Sequence, residues 1–159
     1  MTITSKMRRI LAAAAATLAV MAVGLQAAQA DASVGILTPG YLSIQPVSGA
    51  SGVQSVQVQQ GAVYMSPTEA QSLINQRYNI VIRLWGDDEF SDDLRLGPYS
   101  PDELYAGFAG LMFKTTKQVG NSVLNEDWGD DEIYAGLRLV KPDSTTVRSA
   151  TSNVVHGSW

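Results

Sequence analysis

The chain has 159 residues, with 11 basic and 15 acidic side chains, a single histidine and no cysteine. This inventory excludes disulfides, cysteine nucleophiles and thiolate zinc sites. Its negative balance argues against a nucleic-acid partner, which requires a basic face.

Lys6, Arg8 and Arg9 precede an uncharged run, Ile10 to Leu25, that contains five consecutive alanines, Ala12 to Ala16. Ala28-Gln29-Ala30 follows as a small-x-small site. A positive n-region, an apolar h-region and such a site are the parts of a secretory signal peptide, with cleavage expected after Ala30 or, next to it, Ala32. The run is shorter than the roughly 20 residues needed to span a bilayer, so no stable membrane span is expected once residues 1–30 are removed. The remaining 129 residues would hold 8 basic and 15 acidic side chains, a net charge of −7, because Lys6, Arg8 and Arg9 leave with the signal. A bacterial cell envelope or the surrounding medium is the expected setting of an exported chain without cysteine.

Residues 31–60 are poor in charge and rich in Ser, Gly and Gln. They read as a partly flexible leader with the first strands, ahead of a domain over residues 61–159. Val56-Gln57-Val58-Gln59 alternates, and Ala62-Val63-Tyr64-Met65 resumes after Gly61, so short strands are expected. Ser66-Pro67-Thr68-Glu69 is a capping-box start for a helix running to about Gln76. Tyr78 to Trp85 follows as a strand, with Tyr78, Ile80, Ile82 and Leu84 on one face.

Ser100-Pro101-Asp102-Glu103 repeats the capping chemistry and predicts a short helix through Leu104, Tyr105 and Phe108, with Gly107 and Gly110 weakening it. A strand beginning directly at Leu104 is the alternative. Strands are then expected over Leu111 to Val119, Ile133 to Lys141, Thr145 to Ala150 and Asn153 to Trp159, with Pro142-Asp143-Ser144 as a turn. The sum is a mostly β chain, an antiparallel β-sandwich with one or two short helices.

An internal repeat carries the functional information. Residues 85–96, Trp-Gly-Asp-Asp-Glu-Phe-Ser-Asp-Asp-Leu-Arg-Leu, align without gaps on residues 128–139, Trp-Gly-Asp-Asp-Glu-Ile-Tyr-Ala-Gly-Leu-Arg-Leu, and eight of the twelve positions are identical. Asp102-Glu103-Leu104-Tyr105-Ala106-Gly107 is a partial echo of residues 131–136. This predicts a duplicated strand–acidic turn–strand unit. Carboxylates crowded on a turn repel one another, and a hard dication that accepts six to eight oxygens relieves the repulsion best. Ca²⁺ is therefore the expected ligand, with Asp87, Asp88, Glu89, Asp92 and Asp93 as candidates in the first turn and Glu126, Asp127, Asp130, Asp131 and Glu132 in the second. The EF-hand spacing is absent, and Gly-Asp-Asp is also good turn chemistry without any ion.

Catalytic signatures are few. His156, the single histidine, is the fourth residue from the end, and no Gly-x-Ser-x-Gly elbow is present. The expectation is a secreted, non-enzymatic interaction module with an unknown protein or carbohydrate partner and no nucleic acid. Two rivals are a small carboxylate-dependent hydrolase and a membrane-active protein inserting the uncharged stretch Leu104 to Phe113.

Overall fold

Alternation of apolar and polar residues governs most of the chain, and it is realised as nine strands among the residues described by the computed structural model, 34–87, 92–125 and 131–159. Gly35–Trp159 forms one compact unit. Its strands are β1 (Tyr41–Pro46), β2 (Val53–Tyr64), β3 (Asn79–Gly86), β4 (Asp93–Tyr99), β5 (Glu103–Gly107), β6 (Gly110–Gly120), β7 (Asp131–Val140), β8 (Thr146–Thr151) and β9 (Val155–Gly157). They assemble into two antiparallel sheets. The first has the order β1-β2-β6-β5, and the second the order β4-β3-β7-β8, with β9 also pairing β7.

Each sheet buries one face at a period of two, as strands packed on one side require. In the first sheet Val56 and Val58 of β2 and Leu111 and Phe113 of β6 are buried. In the second, Ile80, Ile82 and Leu84 of β3 lie beside Ile133, Ala135, Leu137 and Leu139 of β7, all at most 1% exposed. Register is fixed accordingly: Ile82 faces Leu137 and Ile80 faces Leu139. A one-residue slip would turn every one of these side chains to the other face.

The described residues contain two short helices, α1 (Pro67–Asn75) and α2 (Asn121–Leu124). The capping box at α1 is formed as the sequence leads one to expect. Ser66 Oγ accepts from the Glu69 amide at 3.2 Å, and Glu69 Oε2 accepts from the Ser66 amide at 2.9 Å. Ala70 and Leu73 form its buried face.

The second helix expected from Ser100 does not form. Residues 103–107 are β5 instead, paired antiparallel to β6 from Glu103–Lys114 to Gly107–Gly110. Asp102 explains the outcome. Its carboxylate, which would stand in the first turn of that helix, instead accepts across the sheet from the Thr116 amide at 2.7 Å, from Thr115 Oγ1 at 3.1 Å and from Lys117 Nζ at 2.6 Å. Gly110 completes the hairpin at φ +112°, and a Cβ there would lie 2.2 Å from the Val63 carbonyl oxygen. Strands β1 and β4 and helix α2 have no counterpart in the pattern read from sequence.

Candidate functional site

The described parts of the two Trp-Gly-Asp-Asp-Glu segments meet at one end of the second sheet. Gly86, the last residue of β3, is opposite Asp93 of β4 on one side and Ile133 of β7 on the other. One step further the Asp87 amide donates to the Glu132 carbonyl at 2.8 Å. The ladder that holds Ile80, Ile82 and Leu84 against β7 thus delivers the first acidic segment beside the start of the second.

Side-chain chemistry at this end is divided between the two faces of β7. Asp131 shares the buried face with Ile133 and is 6% exposed. Glu132 alternates to the other face, where its Oε1 lies 3.2 Å from His156 Nδ1. On that face Tyr134 Oη donates to Asp92 Oδ2 at 2.7 Å. Burial, then this hydrogen bond and the charges of Asp92 and Asp87, pushes the Tyr134 phenol up to about 12. It therefore remains a donor at any physiological pH. Asp87, Asp92 and Tyr134 border a depression of about 230 Å³ together with Thr151, Ser152 and Val154.

Of the ten candidate ligands, Asp87 and Asp92 are brought to one depression, and Glu132 stands next to Asp87 along the ladder but faces His156. Asp93 is exposed at the start of β4, and Asp131 points to the buried side. Asp88, Glu89, Glu126, Asp127 and Asp130 lie outside the described residues. Among the described residues no group of three or more acidic or histidine side chains is placed to hold a metal ion. Sequence reasoning missed Tyr134 as the link between the two acidic segments. Its signal was the Asp-Glu-apolar-Tyr echo, which places a phenol two residues after the acid pair.

A second depression, of about 270 Å³, adjoins the first through Tyr134 and Thr151 and lies on the face of the sheet opposite Ile82. Arg83 and Trp85 of β3, Gly136 and Arg138 of β7, and Ser149 of β8 line it. Gly136 makes room for Trp85: a Cβ built there would lie 2.9 Å from Trp85 Nε1, so the indole occupies the space that a side chain would need.

A separate polar cluster joins the two sheets. Lys117 of β6 pairs with Asp102 and sits 5.6 Å from the ring centroid of Tyr99 of β4. Hydrogen bonds from Lys117 and the Thr116 amide hold the Asp102 carboxyl down at about 2. Burial, aided by the Asp102 charge, pushes the Tyr99 phenol up to about 12. Among the described residues no helix is long and apolar enough to cross a membrane. The chain matches no protein-family model, no curated protein and no solved structure.

Proposed function

We propose that this chain is an exported, non-enzymatic interaction module in which Ca²⁺ organises two acidic Trp-Gly-Asp-Asp-Glu turns at one end of a β-sandwich. The observation that carries this reading is the hydrogen bond from the Asp87 amide to the Glu132 carbonyl, which sets the two acidic segments side by side. Like charges opposite one another on neighbouring strands are destabilising, and a dication bound between them converts that repulsion into attraction. Asp87 and Asp92 are the described side chains best placed to contribute, with Asp88, Glu89, Glu126, Asp127 and Asp130 completing the candidate set.

Stacking of the sheets as a sandwich is supported by a side-chain clasp. Asn153, next to β9, accepts from the Leu42 amide of β1 at 2.8 Å and donates to the Leu42 carbonyl at 3.1 Å. Duplication is supported by strand placement: β4 and β7 flank β3, both antiparallel to it, and each carries a Leu-Arg-Leu, residues 94–96 and 137–139. The hydrolase reading has less in its favour. Carboxyls that depart from their ordinary range among the described residues (Glu69, Asp102 and Asp143) all shift downward, whereas a general acid is raised.

Calorimetric titration with Ca²⁺, and with Mg²⁺ as control, tests the proposal. Saturable binding selective for Ca²⁺, weakened at least tenfold in an Asp87→Asn/Asp92→Asn variant, is expected. Equal affinity for Mg²⁺, or binding untouched by the double substitution, would overturn it. One observation favours the membrane-active rival: Phe108, at the tip of the β5–β6 hairpin, is 93% exposed, and Tyr64, opposite Gly110, is 60% exposed. That reading requires release of dye from anionic liposomes by the protein, and loss of release in Phe108→Ser.

A further inference from the structure

In the groove over Gly136 two cationic side chains, Arg83 and Arg138, converge. Arg83 faces Gly136 across the β3–β7 ladder and Arg138 follows two residues later, so the two arginines are diagonal neighbours on one face. Cβ atoms of such neighbours lie about 7–8 Å apart or somewhat less, within reach of long side chains. Neither guanidinium makes a hydrogen bond or ion pair among the described residues, and Arg83 Nε is buried without an acceptor. Of the acids at this end of the sheet, Asp92 accepts from Tyr134, Glu132 faces His156, and Asp87 lies four residues beyond Arg83, just past the end of β3, in the adjoining depression.

Two like charges side by side repel, and a buried guanidinium N–H with no acceptor is unfavourable. In a chain with more acids than bases, this arrangement calls for an anion from outside. The other walls restrict what kind. Trp85 offers an indole that lies against Gly136, and Ser149 and Thr151 bring hydroxyl groups from β8. A guanidinium fork suits a planar carboxylate or a sulfate bidentately. An aromatic wall with hydroxyls around it suits a ring whose faces are apolar and whose edges are polar.

We infer that this groove binds an anionic sugar residue, its carboxylate or sulfate held by Arg83 and Arg138 and its ring lying against Trp85. The inference extends the reading of the chain as an interaction module by giving it a ligand class. It needs no calcium, so the two can fail separately.

The test is calorimetry and tryptophan fluorescence on the purified protein in EDTA. The probes are a uronic-acid trisaccharide, a sulfated disaccharide, a neutral trisaccharide of matched length and inorganic sulfate. At least one charged saccharide is expected to bind at least tenfold more tightly than both the neutral one and the free ion, and which of the two binds identifies the anionic group. Arg83→Gln and, separately, Arg138→Gln are expected to weaken that binding at least tenfold. The melting temperature of each variant is checked first, and Arg138→Gln supplies the result if Arg83→Gln does not fold. No binding of either charged saccharide would overturn the inference. So would equal binding of the neutral sugar, inorganic sulfate binding as tightly as the saccharides, or affinity unchanged in a folded arginine variant.

Discussion

Replacement of Asp102 by Asn removes one charge from the cluster that joins β6 to the end of β4 while keeping the shape of the side chain. The carboxyl sits at about 2 in the folded protein against an ordinary 3.8, first through Lys117 and then through the Thr116 amide. At 1.36 kcal/mol per pH unit the full effect would approach roughly 2.5 kcal/mol. The carboxylate side chain is 45% exposed, however, and solvent screens an ion pair of that kind to about 1 kcal/mol. The sign follows from the lowered pKa: the stabilisation is complete above the unfolded value near 3.8 and disappears as pH falls through about 2. Asp102→Asn should therefore lower the melting temperature by about 3–5 °C at pH 7. The difference should shrink as pH falls below about 3.8 and be mostly gone by about pH 2, where the folded wild-type carboxyl is half protonated. Thermal melts followed by circular dichroism at pH 7, 4 and 2 measure it. A variant that melts with wild type at pH 7, or a gap at pH 2 as large as that at pH 7, would refute the assignment.

Three further outcomes follow from the fold. Ser66→Ala removes the acceptor for the Glu69 amide and should lower the melting temperature by a few degrees, a loss that Ser66→Asp largely avoids. Gly110→Val puts a branched side chain at φ +112° and against the Val63 carbonyl, so the β5–β6 hairpin should be destabilised by more than about 2 kcal/mol, read from urea unfolding. Leu137→Ala empties a fully buried position opposite Ile82 and should cost about 2–5 kcal/mol in the same assay, with an unchanged m-value.

What could be read in the sequence was whatever local chemistry decides alone. The α1 capping box and the alternation of Ile80, Ile82 and Leu84 specify a helix and a strand whatever surrounds them. Ser100-Pro101-Asp102-Glu103 misled because identical capping chemistry has two uses. Three donors on β6, 13 to 15 residues further along the chain, recruit Asp102, and that pairing is invisible without the β5–β6 register. Strand β4 was obscured because Leu94 and Leu96 are separated by Arg95 within an acidic stretch, and β4 is an edge strand with little buried surface. At the candidate site the repeat announced that two acidic segments are related, but not that they adjoin. Their adjacency comes from β3 and β7 pairing antiparallel, so that the end of one meets the start of the other. The groove over Gly136 was hidden for a similar reason. Arg83, Trp85, Gly136 and Arg138 are dispersed over two strands, and only the register of Arg83 with Gly136 gathers them.

Calcium organisation of the acidic turns is tested most directly by melting the protein in EDTA, in millimolar Ca²⁺ and in millimolar Mg²⁺. An ion that binds only the folded state raises the melting temperature as its concentration passes its Kd. A rise of several degrees in Ca²⁺ that Mg²⁺ does not reproduce is the predicted result. Identical melting in all three conditions, or an equal rise with both ions, would contradict the account.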